Sequence, residues 1–349
     1  MKDPIFPINV GEKQYFMVLP DWEEDYIQGM LVEKAVPYEF AMLQAMESCL
    51  RANDLVLDVG ANIGNHTLYL AAVAGLRVVA FEPNPELCVP LRQAISLNDL
   101  DGRVTLHEVG VGASEGNAHF AERKPENIGG QSLTLDDSDA APISVISLDA
   151  LDLEDKVRAI KVDVEGMELS VLKGAGNLIS RDKPYLFIEA QTESDFDALH
   201  EVVVDLGYIY WDTFNATPTH WFIHSEELGQ DAIVDHYFQK GRDSYKLRLA
   251  KRDLQTRLNE ANMKYRSANE RINELKDRLN EANVKYKEAT GQAGQNRERM
   301  RAEIASLKAE LAKCKAEVSG VSAPNNEAHP ERALGLDFSL PEEQGKDKG

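Results

Sequence analysis

Residues 54–71, DLVLDVGANIGNHTLYLA, with VVAFEPNP at residues 78–85, restrict this chain more than any other stretch. They read as a short apolar strand over 55–59, a glycine-bearing turn, a helix from about Asn65, and a second strand ending on Glu82. That order positions a nucleoside. Gly60 and Gly64 let the backbone turn tightly, and the helix start offers free N–H groups. Glu82 stands 24 residues after Asp58, where an acid accepts hydrogen bonds from ribose hydroxyls. GANIGNH is not GxGxxG, because Asn62 takes the place of the second glycine. A dinucleotide pyrophosphate needs that close approach, so NAD and FAD are disfavoured, and a nucleoside without phosphates fits better.

A second motif, IKVDVEGMELSVLKGA at residues 160–175, reads as a strand ending at Asp163 and Glu165, a turn at Gly166, and a helix. YLFIEA at residues 185–190 places Glu189 at another strand end. In open α/β sheets the carboxyl ends of the strands face the ligand crevice. Asp58, Glu82, Asp163 and Glu189 would then share one rim. Packing alone does not explain four such acids, since carboxylates are rarely buried unpaired.

These segments, with FEPNPELCVPLRQAISLN and VGVGASEG, resemble the FkbM-type S-adenosylmethionine-dependent methyltransferases in order and spacing over residues 53–224. The resemblance implies an α/β class I methyltransferase (Rossmann-like) fold with a doubly wound sheet. It also implies O-methylation of a hydroxyl on a sugar, glycan or natural product, with S-adenosylmethionine as cofactor. By matched motif, Asp58, Gly60, Asn62, Gly64 and Asn65 would hold the methionine end and Glu82 the ribose. Many class I enzymes carry an acid after the third strand for the adenine amine. Here the third strand, read over residues 104–109, runs into Gly110, Val111 and Gly112, which leaves adenine to backbone groups around Val111.

Formal net charge is −21, unevenly spread. Residues 243–318 hold 18 basic and 12 acidic residues, whereas residues 1–242 hold 17 and 41. So acidic a region repels nucleic acid and anionic lipid, and no basic patch precedes Arg242. No apolar run is long enough to span a bilayer, and the N-terminus lacks the apolar stretch of a secretory signal. Cys49, Cys88 and Cys314 are too few and scattered for a disulfide framework or a zinc site. A cytoplasmic protein without a metal is expected.

Four regions follow. Residues 1–52 form a leading helical and loop segment, with Phe40, Leu43, Met46 and Leu50 at helical spacing, able to pack on the sheet or roof the cofactor. Residues 53–236 form the methyltransferase-like domain. Within it, residues 116–142 break the strand–helix rhythm and read as a lid or a plain surface loop, and YIYWD and HWFIH as two late antiparallel strands. Residues 243–318 carry a heptad seam (Leu254, Leu258, Ala261, Tyr265, Ala268, Ile272, Leu275, Leu279, Ala282, Tyr286, Ala289), the sign of a coiled coil. RLNEANMKYRSA recurs after 21 residues as RLNEANVKYKEA, so the seam keeps its face. Gly291 and Gly294 interrupt it, and Ile304, Leu307, Leu311, Cys314 and Val318 resume it in a shifted register. Self-association along residues 247–289 is favoured over a hairpin folded back at the glycines. Residues 319–349 read as a disordered tail.

Methyl transfer to oxygen needs an aligned acceptor, a route for its proton, and exclusion of water. Asp163 is the first candidate for the proton, with Glu165, Glu189 and His66 as alternatives. His220 and His224 share a strand face but lack a third metal ligand. Two rival functions remain: a coiled-coil scaffold with an inactive head, and a nucleotide-dependent oxidoreductase disfavoured by Asn62.

Overall fold

The computed structural model describes residues 3–120, 133–135, 143–288 and 294–319. The chain divides into two units, Met1–Ile233 and Val234–Gly349.

The first unit opens with an antiparallel hairpin, β1 (Ile5–Val10) and β2 (Lys13–Val18). The sequence reading had only helix and loop before residue 53. Pro7 inside IFPINV obscures the strand pattern, because proline withholds a ladder donor and is confined to strand edges. Ile8, Tyr15 and Met17 nevertheless bury one face of the hairpin. Two helices follow, α1 (Tyr26–Lys34) and α2 (Phe40–Cys49). The Asp25 side chain caps α1 by accepting the Gln28 N–H at 2.9 Å.

The remaining elements are β3 (Leu55–Val59), α3 (Asn65–Ala72), β4 (Arg77–Phe81), α4 (Pro85–Leu97), β5 (Val104–His107), β6 (Gly110–Val111), β7 (Gly116–Phe120), β8 (Leu133–Leu135) and β9 (Ile143–Ile146). After them come β10 (Val157–Val162), α5 (Glu168–Lys173), α6 (Gly176–Asp182), β11 (Tyr185–Glu189), α7 (Glu193–Asp205), β12 (Tyr208–Phe214) and β13 (Thr219–His224). Seven strands form one sheet in the order β12-β13-β11-β10-β3-β4-β5. Neighbours from β11 to β5 run parallel, and β13 is antiparallel to both β11 and β12. The chain winds outward from β3 through β4 to β5, then returns to β10 on the other side. The β3–β10 boundary is therefore the point where strand order reverses, and in such sheets ligands bind at the carboxyl ends there.

Side chains alternate across this sheet. Val56, Val78, Ala80 and Ala159 face a core shared with the hairpin, α2, α3 and α4. Leu57, Val79, Phe81, Ile160 and Val162 face a second core with α5, α6 and α7. This is a doubly wound, class I methyltransferase-like α/β fold. The third strand stops at His107, short of residue 109. Gly110 and Val111 leave the main sheet for a small one, order β6-β9-β7-β8, where the Gly112 N–H donates to the Ile146 carbonyl at 2.9 Å. Of the stretch read as a lid, β7 and β8 are strands. Pro125, the glycine pair at 129–130 and the acidic run at 136–139 lie outside the described residues, as does the tail from residue 320.

The second unit is built from α8 (Gln230–Glu288) and α9 (Gly294–Ser319). α9 returns along α8. Ile272, Leu275, Leu307 and Cys314 form one buried cluster, flanked by Leu279, Ala282 and Leu311. The Arg301 guanidinium lies 5.8 Å from the Tyr286 ring centre and its Nε donates to the Tyr286 hydroxyl at 2.9 Å. Over residues 272–286 the hairpin, ranked second from sequence, is therefore what closes the seam. A partner segment tethered by a short connection has a high effective concentration. The seam before it is open: Leu254 is 51 % exposed, Leu258 46 % and Tyr265 48 %. Among the described residues no helix is long and apolar enough to cross a membrane.

Candidate active site

Strand alternation and register assemble the site. Asp58 and Lys161 are register partners on β3 and β10, and Lys161 also pairs with Phe187 on β11. Two residues further along, on the same face, come Gly60, Asp163 and Glu189, and Glu82 follows Ala80 on that face of β4. The ends of β3 and β10 nearly touch. A Cβ on Gly60 would sit 1.8 Å from the Asp163 carbonyl oxygen, and φ there is +82°, so only glycine fits. The close approach expected toward a ligand at Gly60 is thus first an approach to Asp163.

A buried ion cluster fills the junction. Lys161 Nζ donates to the Gly60 carbonyl at 2.8 Å and lies 3.3 Å from Asp58 Oδ1 and 3.4 Å from Asp163 Oδ2. Burial opposes its charge, but Asp58 and Asp163 outweigh this and hold the ammonium above the usual lysine value. Burial likewise opposes ionisation of Asp163, yet Lys161 and a hydrogen bond with Glu189 keep its carboxyl below the usual range. Glu189 moves the other way. Burial, then the charge of Asp163, push it well above the usual carboxylate range. The two acids thus divide into an ionised and a protonated partner. Sequence reading missed Lys161. Its one signal was a lysine inside the apolar run AIKVDV.

Two cavities open on this junction. One is walled by Phe81, Pro83, Val109, Val111, Phe120 and Met167. The other, about 350 Å³, is lined by Tyr26, Tyr38, Glu39, Asn62, Asn65, His66, Lys161 and Glu189 among others. Gly60, Glu82, Asp163 and Glu165 border both. The Glu82 carboxylate accepts the Asn62 N–H at 2.8 Å on Oε2 and the Asn84 N–H at 2.9 Å on Oε1. Burial raises its pKa to about 7 despite those bonds. Val111, at the start of the small sheet, stands in the apolar wall where adenine was expected.

Three of the expected cofactor residues are occupied elsewhere. Asp58 is fully buried and borders neither cavity. It accepts the Thr67 hydroxyl at 2.6 Å and faces Lys161, so it holds the cluster together. Gly64 borders neither cavity; a Cβ there would lie 2.2 Å from Leu91 Cδ1, and its glycine serves the packing of the turn on α4. Asn65 does border the larger cavity, but its amide is spent. Its Oδ1 accepts the Tyr38 N–H and its Nδ2 donates to the Tyr38 carbonyl, both at 2.9 Å. Asn62 adopts φ +52° and its own Oδ1 accepts the Ile63 N–H at 2.6 Å.

On the catalytic side, His66, Asp163, Glu165 and Glu189 all border the larger cavity. Glu165 sits at φ +51° and accepts from Gln191 Nε2 at 2.7 Å. His66 Nε2 lies 3.1 Å from Glu39 Oε2. Glu39 begins α2 at φ +58°, in the left-handed region that a non-glycine residue seldom adopts, and such strain gathers at functional sites. Nothing in the sequence marked Glu39, since its spacing to His66 is set by the fold. His220 and His224 stand apart from this group. His220 Nδ1 is 2.8 Å from the Thr213 hydroxyl, and His224 Nδ1 accepts the Glu226 N–H at 3.3 Å. Among the described residues no group of three or more His, Cys, Asp or Glu could hold a metal.

Hexuronic acid methyltransferase AglP of Haloferax volcanii is 34 % identical over 130 residues, 36 % of this chain and 52 % of that protein. The chain thus spans about half the length of that curated relative. Among solved structures, methyltransferase FkbM from Methylobacillus flagellatus KT is 22 % identical at a TM-score of 0.42, covering 57 % of this chain and 52 % of that one. Precorrin-6y C5,15-methyltransferase from Geobacter metallireducens GS-15 is 15 % identical at a TM-score of 0.33, covering 53 % and 85 %. The family model for the methyltransferase FkbM domain matches residues 58–210 of this chain.

Proposed function

We propose that the protein transfers a methyl group from S-adenosylmethionine to a hydroxyl of a sugar or glycan. The observation that carries this reading is the meeting of two cavities at Gly60, Glu82, Asp163 and Glu165, on the carboxyl ends of β3, β4 and β10. One cavity suits a donor and the other an acceptor. The name of the AglP relative supports a sugar acceptor.

The residues present fit the cofactor. Each Glu82 carboxyl oxygen accepts one backbone N–H and retains capacity for a ribose hydroxyl. Phe81, Pro83, Val109 and Val111 give adenine an apolar slot. When bound, S-adenosylmethionine supplies an electrophilic methyl group on a sulfonium. The chain's own work is then to orient the acceptor and remove its proton. Asp163 is tied to Lys161 and acts as a fixed negative charge. Burial and the charge of Asp163 favour the protonated form of Glu189, which counts against it as the proton acceptor. His66 becomes the favoured base in place of Asp163, with Glu39 as the group that fixes its ring. Tyr26, Ile27 and Tyr38 line the larger cavity and give the acceptor an aromatic and aliphatic wall to pack on.

Calorimetry with S-adenosylhomocysteine tests the reading. Glu82→Ala should lose charge-assisted bonds of roughly 1.5–3 kcal/mol each and weaken binding by at least about tenfold. Unchanged affinity, or binding of NAD(P) instead, would overturn it. The uncovered seam of α8 supports a second element of the proposal, self-association of the chain along that stretch.

A further inference from the structure

The acceptor cavity is unusual for the sign of its charge. Five carboxyl groups border it: Glu39, Glu82, Asp163, Glu165 and Glu189. Among the described residues, Lys161 and His66 are the basic groups there. Lys161 is committed to Asp58, Asp163 and the Gly60 carbonyl, and His66 to Glu39. No cation is left to meet an incoming anion. Four of the acids also have partners. Glu82 takes two backbone N–H groups, Asp163 the lysine, Glu39 the histidine and Glu165 the Gln191 amide. Glu189 shares a hydrogen bond with Asp163, but it is 8 % exposed and its Oε2 is left without a hydrogen-bond partner. A buried oxygen left so is costly, and a bound donor would relieve that cost.

We propose that the methyl acceptor carries a protonated amine, as an amino sugar does, and that Glu189 receives that ammonium. The inference rests on the methyltransferase reading and deepens it by naming the acceptor's charge. An ammonium is the one common sugar substituent that both satisfies Glu189 and lowers the charge of the cavity. A carboxylate-bearing sugar would find no uncommitted cation among the described lining residues, and its charge would add to that of the ionised acids there. Burial and Asp163 favour the protonated form of Glu189 in the free protein, and an arriving ammonium favours the ionised form, with the proton released to solvent. Glu189 is thus a specificity residue, separate from the proton acceptor His66.

The test uses the full chain and three sugars of one size, glucosamine, glucose and glucuronate, at a pH below the amine's own pKa. Binding is followed by saturation-transfer NMR, with and without S-adenosylhomocysteine. Glucosamine should bind about tenfold more tightly than glucose, and glucuronate should bind more weakly than either. Glu189→Gln should erase at least most of the glucosamine preference and leave S-adenosylhomocysteine affinity within about threefold. Glucuronate binding as well as glucosamine would overturn the inference, and so would an undiminished preference in Glu189→Gln. A tenfold loss of S-adenosylhomocysteine affinity in that variant would also overturn it, by assigning Glu189 to the cofactor's own ammonium. Failure of the unaltered chain to bind S-adenosylhomocysteine counts against the methyltransferase reading alone, since the order of the three sugars is measured in its absence too.

Discussion

The sheet of the first unit and the first half of α8 depart from ordinary burial in opposite senses. The sheet hides charge: Asp58, Lys161 and Glu189 are all buried on strands whose other buried positions are apolar. The helix displays hydrocarbon: Leu254, Leu258, Met263 and Tyr265 face water. Neither arrangement lowers the free energy of an isolated chain. Buried charges carry a desolvation cost even when paired, and an uncovered apolar stripe forgoes the burial that stabilises helices. The contrast separates the two proposals. A charged cluster at the strand reversal point is where a small molecule with charge of its own would gain most, and an apolar stripe is where another protein surface would.

The largest effect should come from breaking the hidden cluster. Lys161→Met leaves Asp58 buried without its counter-charge, which should destabilise the first unit by about 3–5 kcal/mol in chemical denaturation. Adding Asp58→Asn should recover a good part of that loss, because the two residues act as a unit. A single variant within 1 kcal/mol or so of the parent would mean that the cluster is solvated and the contrast is weaker than drawn.

A smaller effect, of opposite sign, is expected at Glu189. Its native carboxyl titrates above the ordinary glutamate value of 4.5, so the folded form retains a proton that the unfolded chain releases. Stability is full below that ordinary value and falls as pH rises through the raised native one. Glu189→Gln removes this decline. At neutral pH the variant should be more stable by on the order of 1 kcal/mol, or roughly 2–4 °C in melting temperature. At pH 4 the two proteins should converge. Equal melting curves at both pH values would show that Glu189 is ionised in the native state.

The smallest effect on the fold should come from the displayed side. Leu254→Gln with Leu258→Gln should alter monomer stability by no more than about 0.5 kcal/mol, since exposed substitutions rarely do more. Light scattering should nevertheless show loss of association relative to the parent, with S-adenosylhomocysteine affinity unchanged. If the parent is itself monomeric at micromolar concentration, the stripe has another partner or none.

Much of the main sheet is legible in the sequence because buried parallel strands are written as unbroken apolar runs. LVLDV and YLFIE coincide with β3 and β11. The acids at 82, 163, 165 and 189 also declare themselves, since each ends such a run. What stays hidden depends on pairing across long separations. Lys161 meets Asp58 through strand register, and Glu39 meets His66 because α2 lies over the loop after β3. Asp58 looked like a ligand by motif, but it stands two residues before Gly60, one step too far back along the strand to reach either cavity. The return of α9 on α8 was ambiguous for a different reason, because a heptad pattern states that a helix face needs covering without saying by which chain.

The paired bonds between the Asn65 amide and the Tyr38 backbone have a consequence for the larger cavity. They join the turn that begins α3 to the segment carrying Tyr38 and Glu39, 27 residues away. A molecule that settles one of these segments settles the other. Tyr38, Glu39 and Asn65 all line the larger cavity, so the link holds two of its walls in one arrangement. Cutting it with Asn65→Ala should loosen those walls and weaken binding of the acceptor more than binding of S-adenosylhomocysteine.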